Sequence, residues 1–256
     1  MTELLQNLLK DHKTTVVFSC FNIWHFLYMF IILGTIITLV FVLKNKSEKV
    51  KTKVINTTIL IALILYALDF FLMPFAYGEI DIEKLPFHIC TVSCILCFLS
   101  RHNKFFSKFK KEFLIFGLIG NFIYLVYPMG VQSYKVHPLS YRVIQTLLYH
   151  GVMVAYGIFA LSFNDVKLNI KTCYKEIVVN LVLIVWALIG NLCYGGLRTP
   201  IYNWMFVVED PLGIIPPDIG KLIMPFVILL ILFICDMIIH GVYYLCKLIF
   251  KKKTIN

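Results

Sequence analysis

Residues 24–43 read WHFLYMFIILGTIITLVFVL, and residues 44–53 read KNKSEKVKTK. The first stretch contains no Asp, Glu, Lys or Arg. Wound as a helix at about 1.5 Å per residue, it matches a hydrocarbon core of about 30 Å. A helix pairs its own backbone groups, so it can cross lipid without water. The second stretch is rich in lysine, which stays on the cytoplasmic side of a membrane. Together they read as one span leaving the bilayer on its inner face.

The same alternation runs along the chain. Spans are expected at about Trp24–Leu43, Val54–Tyr77, Leu85–Ser100, Phe113–Pro128, Leu139–Phe163, Glu176–Tyr194 and Lys221–Cys246. The loops after the first, third and fifth spans, with the tail, hold about 17 of the 24 Lys and Arg. The opposite side holds most of the acids, among them Glu79, Asp81 and Glu83. The expectation is an all-α, polytopic membrane bundle of about seven transmembrane helices in a single domain. Its N-terminus is outside, its C-terminus is cytoplasmic, and the protein is multi-pass in the cell membrane. Residues 1–20 read as an outer interfacial segment, with Leu4, Leu5, Leu8 and Leu9 on one helix face and no signal-peptide pattern. Residues 247–256 read as a basic cytoplasmic tail.

Composition agrees. Of 256 residues, 60% are hydrophobic and 15% charged, with a mean hydropathy of +0.84. A soluble domain is nearer half apolar and a quarter charged. The net charge of +10 reads as topology, not as a nucleic-acid surface. The eight cysteines do not form a disulfide framework, although Cys20 and Cys193 both fall near the outer side. Cys94 and Cys97 match a C-x-x-C pattern but lie within a span. Cys90, Cys94 and Cys97 share a helix face with His88 near its start. Small residues at a helix contact explain that stripe more simply than a soft-metal site. No metal or cofactor is expected.

Polar groups inside spans are costly and mark interior or functional positions. They are Asp69, Asn121, His150, Asn180, Asp236 and His240. Asp236 and His240 are four residues apart and are expected to pair; Asp69 needs a partner, for which His150 is a candidate. Asn121-Phe-Ile-Tyr124 and Asn191-Leu-Cys-Tyr194 close two spans with the same N-x-x-Y pattern, but two matched positions do not establish a repeat.

The segment Leu85-Pro86-Phe87-His88-Ile89-Cys90 opens a span. Pro86 suits a first helical turn, which places Cys90 about one turn in, near free N–H groups and the positive end of the helix dipole. That setting favours a thiolate. His88, two residues away, does not face Cys90 on a regular helix. His150 is the better base, at a depth differing by about 7 Å on a 1.5 Å rise. The stretch from Gly195 to Gly220, with Tyr202, Trp204, Met205 and Phe206, is too apolar for a solvated linker. It is expected to cover the mouth near Cys90, with Asp210 or Arg198 anchored there. From the residues alone, three classes stay open: a lipid-directed enzyme built on Cys90, a transporter or channel with a proton path, and a structural subunit.

The L-P-F-H-I-C motif, Tyr149-His150 within a span, Asn191-x-x-Tyr194 followed by Pro200, and Asp210-Pro-Leu-Gly with Pro216 occur in an order that resembles YwaF-like bacterial membrane proteins. That family looks related to the eukaryotic transmembrane protein 164 acyltransferases. The resemblance covers about residues 20 to 246, with Asp69 where the family is expected to carry Glu. It implies an acyltransferase that moves a fatty acyl chain between phospholipids through a cysteine thioester near the outer leaflet. Cys90 would be the nucleophile, His150 the base and His88 a third catalytic-site residue. Asp69, Asn121, Asn191, Tyr194, Arg198 and Asp210 would support the site or bind substrate. A lipid thioesterase or esterase is the close variant.

Overall fold

The computed structural model describes residues 15–77, 81–195 and 202–252. Among them every regular element is helical. The long helices are α1 (Ile23–Leu43), α2 (Glu48–Tyr77), α3 (Ile89–His102), α4 (Lys110–Val126), α5 (Tyr141–Ser162), α6 (Tyr174–Tyr194) and α7 (Pro217–Lys252). Six are long and apolar enough to cross a membrane; α3 is a shorter apolar helix. This is the expected multi-pass bundle. The expected segment of Leu4 to Leu9 lies outside the described residues. All eight cysteines are free thiols.

Helix starts follow local chemistry. Asn22 caps α1 through its side chain, which accepts from the His25 N–H at 3.0 Å. Ser140 does the same for α5, accepting from Val143 N–H. Pro217 opens α7, where its missing N–H is not needed. One expected boundary moves: the basic loop of residues 44–53 is mostly helix, because α2 begins at Glu48. Lys and Glu are good helix formers, and Lys51 pairs with Glu48 at 2.8 Å.

The centre of the bundle is α5, which packs against α1, α2 and α4. In its most apolar window 72% of residues are buried, against 6% for α1, so α1 is peripheral and α5 is core. α3 lies against α2 and α4, and α7 against α4 and α6. Gly120 of α4 sets the closest approach: a Cβ there would lie 2.0 Å from Ile89 Cγ2. Its bare backbone lets the first turn of α3 press onto α4.

The basic ends of the helices share one polar cluster. Arg101 and Lys110 both hold Asp165, at 2.8 and 2.7 Å. Arg101 also donates to Asn56. The expected Asp236–His240 pair does not form. His240 bonds Glu176 at 3.0 Å, and Asp236 accepts from Asn180 at 3.1 Å. Two i, i+4 pairs on facing helices meet crosswise, and Lys111 adds an ion pair to Glu176 at 2.9 Å.

Candidate functional site

The other end of the bundle holds a second polar cluster, around the start of α3. The helix begins at Ile89 with His88 as N-cap, later than the expected start at Pro86. Leu85 to Phe87 form a tight turn instead, closed by Phe87 N–H to Leu85 O at 2.7 Å. Thr91 Oγ1 braces that turn, bonding Leu85 O and His88 O at 3.2 and 3.1 Å. Cys90 is therefore the second residue of the helix, not one turn in. Its sulfur faces the backbone N–H groups of Cys90 and Thr91. These N–H groups have no helical partner at a helix start.

His150 is buried, and its environment fixes its tautomer. Nδ1 lies 2.7 Å from Asn121 Oδ1. The Asn121 amide nitrogen donates to Gly117 O at 2.7 Å, which settles that Oδ1 faces the imidazole. Nδ1 therefore carries the proton and Nε2 keeps a lone pair. Tyr124 stacks on the imidazole, with ring centroids 3.9 Å apart and planes 11° off parallel. Tyr124 lies within electrostatic reach of Cys90. From the preceding residue, the Tyr149 hydroxyl donates to Cys90 O at 2.8 Å. That bond sets the turn bearing His150 against the turn bearing Cys90. A Cys at a helix start and a His oriented by an Asn are residue types that nucleophilic catalysis uses.

Asp69 has a different partner from the one expected. Its Oδ2 lies 2.6 Å from Lys84 Nζ, not against His150. Burial alone would strip Lys84 of its proton, but the Asp69 carboxylate outweighs this and raises the pKa above the ordinary lysine value. Sequence reasoning missed Lys84 as a site residue because it stands among acids in a loop. Tyr124 was visible in its N-x-x-Y pattern, but nothing in the sequence assigned it to His150.

The segment from Tyr202 to Val208 packs over the start of α3. Trp204 and Met205 are fully buried. Trp204 Nε1 donates to Glu83 O at 3.3 Å, and the Met205 N–H donates to His88 Nδ1 at 3.4 Å. Phe87 lies between Trp186 and Trp204, with centroids at 5.0 and 4.9 Å. A Cβ at Gly190 would come within 2.4 Å of the Phe87 ring, so glycine makes its seat. Asn191 holds the segment: Oδ1 accepts the Trp204 N–H at 3.1 Å, while Nδ2 donates to Trp204 O at 3.2 Å and Ala187 O at 2.9 Å. Tyr194 packs edge-on against Trp204, with centroids 5.8 Å apart. Met205 and Phe206 both have left-handed backbone, φ 56° and 57°.

His88 thus supports this cover through Nδ1. Asp210 is not anchored at the mouth: its carboxylate accepts the N–H groups of Leu212, Ile214 and Ile215, closing a turn of its own loop. Those bonds hold its pKa below the ordinary carboxylate value. Arg198 lies outside the described residues. The structure thus ties Cys90 to the turn of His150 through Tyr149, His150 to Asn121, and His88, Asn191 and Tyr194 to the cover segment, while Asp69 pairs with Lys84. Among the described residues, no cluster of three or more His, Cys, Asp or Glu side chains has metal-holding geometry.

A model of the TMEM164 family matches residues 18–245. The chain belongs to the TMEM164 family. Searches of curated proteins and of solved structures give no match. The family match spans every element of the site, from Asp69 on α2 to the cover segment and its Asp210 turn.

Proposed function

We propose that this TMEM164-family membrane protein transfers a fatty acyl chain between phospholipids through a thioester on Cys90. The observation that carries this reading is the His150–Asn121 bond. It leaves Nε2 as an available base on the helix turn that Tyr149 ties to Cys90, a cysteine at an open helix N-terminus. In the first step Nε2 takes the thiol proton and the sulfur attacks a lipid ester carbonyl. The unpaired N–H groups at the start of α3 are placed to stabilise the developing oxyanion. Collapse expels the lysophospholipid alkoxide, which takes the proton back from His150. The acyl chain stays on sulfur as a thioester. In the second step His150 deprotonates the hydroxyl of another lysophospholipid, which attacks the thioester and regenerates the thiol. Water in that role would make the protein a lipid hydrolase.

A continuous proton path is less well supported. On α4, Glu112 belongs to the basic-end cluster and Asn121 to the Cys90 cluster. Residues 113–119 between them are apolar or glycine, and all are buried. On α4 the charged and amide groups stand at the two ends, not in a string.

By the distribution of lysine and arginine, the Cys90 end faces outward and the α1–α2 turn faces the cytoplasm. The test is incubation of purified protein with phospholipid carrying a labelled acyl chain. Hydroxylamine-labile label should appear on Cys90 and vanish in Cys90→Ala, while Cys94→Ala and Cys97→Ala keep it. Undiminished transfer in Cys90→Ala would sink the mechanism. For orientation, a cysteine placed at Ser47 should resist a membrane-impermeant thiol reagent in intact cells, and one placed at Asp81 should react; the reverse pattern would invert the topology.

A further inference from the structure

Lys84 ends the short 3-10 helix Ile82–Lys84, immediately before the L-P-F-H-I-C segment. Surface lysines are usually mobile. This one is fixed at both ends. Its Nζ pairs with Asp69 at 2.6 Å, and the Asp69 side chain is only 6% exposed. Its backbone oxygen accepts from the Tyr66 hydroxyl at 2.8 Å. Tyr66 and Asp69 are three residues apart on α2, so one face of that helix grips both the main chain and the side chain of Lys84. The cover segment adds a third hold, from Trp204 to Glu83 O.

The next residue, Leu85, is tied to the first turn of α3 by Thr91 Oγ1 at 3.2 Å, which sets Lys84 at the helix start, within electrostatic reach of Cys90, His88 and His150. The charged groups that face it are Asp69, Asp81, Glu83 and Arg142, and Tyr66, Tyr124, Tyr149 and Cys94 face Cys90. Asp81 and Asp69 favour its charge, and Arg142 opposes it.

We infer that Lys84 is the fixed positive charge of this site, positioned by Asp69, and that it stabilises Cys90 as a thiolate. The inference rests on Cys90 being the nucleophile of the function proposed above. The chemistry calls for such a group. A thiolate is the reactive form of cysteine, and apolar surroundings oppose it. Partial charges on the N–H groups of Cys90 and Thr91 supply part of the compensation, and the Lys84 ammonium, paired with Asp69, adds to it. Asp69 keeps that ammonium protonated in a half-buried place and stops it from swinging away. Asp69 is then a positioning residue two steps removed from the sulfur. Lys84 is one as well, because its amine makes no bond to the reacting atoms.

The test measures Cys90 itself, without lipid. Full-length protein in detergent is treated with anionic and cationic methanethiosulfonate reagents of similar size, and modification of the Cys90 peptide is followed by mass spectrometry. In the native protein the anionic reagent should react faster. In Lys84→Met the anionic-to-cationic rate ratio should fall about tenfold. The pH of half-maximal iodoacetamide reaction at Cys90 should rise by about one unit, since each unit is tenfold in thiolate population. Lys84→Arg should restore both readouts. The double variant Asp69→Asn/Lys84→Met leaves no unpaired buried carboxylate, so it should behave like Lys84→Met even if the single variant folds poorly. An unchanged ratio and pH profile in the double variant would overturn the inference. If Cys90 reacts in the native protein independently of Lys84, this inference fails and the acyltransferase reading stands. If Cys90 is inert at every pH in the native protein, both fall.

Discussion

Asn121 on α4 and Asn191 on α6 are built alike and hold different things. Each opens an N-x-x-Y pattern near the end of its helix. Each donates its amide N–H to the carbonyl four residues back, Gly117 O or Ala187 O. Each thereby turns its carbonyl oxygen toward a partner from another segment. For Asn121 the partner is the imidazole of His150; for Asn191 it is the backbone of Trp204. The tyrosine one turn on packs against whatever is held, Tyr124 on His150 and Tyr194 on Trp204. The difference lies in the captive. A side chain on the central helix α5 needs only its tautomer and ring plane set, because its backbone is already rigid. A loop needs its main chain held, so Asn191 bonds both the N–H and the carbonyl of Trp204. One motif holds a side chain in the first case and a loop in the second.

Substitution can separate the two roles. Asn121→Ala should have the larger effect on transfer. It frees the imidazole to rotate and to take the other tautomer, and the rate should fall by about 10²–10³, within the usual worth of a positioned base. A His150→Ala variant should lose about as much, and the double variant little more, because the residues act as one unit. Additive losses would mean that Asn121 acts elsewhere. Asn191→Ala should lower transfer by less than about tenfold, as expected for a gating element. It should instead destabilise the protein by about 1–3 kcal/mol, the cost of unpaired buried groups. Amide exchange should accelerate at Trp204 and Met205 and stay unchanged near His150. Equal exchange changes at both places would erase the distinction between the two asparagines.

The smallest expected effect concerns the far end of the cover. Asp210 has a depressed pKa, so its turn is fully supported above the ordinary carboxylate value of 3.8 and loses that support as pH falls through the lowered value. Acid should therefore lower the protection of the Leu212, Ile214 and Ile215 amides relative to their intrinsic exchange rates, and Asp210→Asn should show the lower protection already at neutral pH. Exchange at Trp204 should not follow, because Asn191 holds that part independently.

The bundle was legible in the sequence because hydropathy reports burial in lipid directly. The polar members of the site were legible for the same reason: Asp69, Asn121 and His150 stand out against apolar spans. Their pairings were not. Which polar group meets which depends on helix rotation and relative depth, and neither is written in a single segment. Asp69 thus meets Lys84 instead of His150. His240 meets Glu176, which read only as the start of a span. The start of α3 was displaced because Pro86 fits a tight turn as well as a first helical turn; the deciding groups are Thr91 Oγ1, which ties down Leu85, and His88, whose extended backbone makes it the cap.

The consecutive left-handed residues Met205 and Phe206 give the cover a further property. A side-chain-bearing residue in that conformation costs about 1–2 kcal/mol. Two in succession therefore offset about 2–4 kcal/mol of the bonds that hold Trp204 down. The cover is thus held about 30- to 1,000-fold less tightly than its contacts alone would hold it, at about 1.4 kcal/mol per factor of ten.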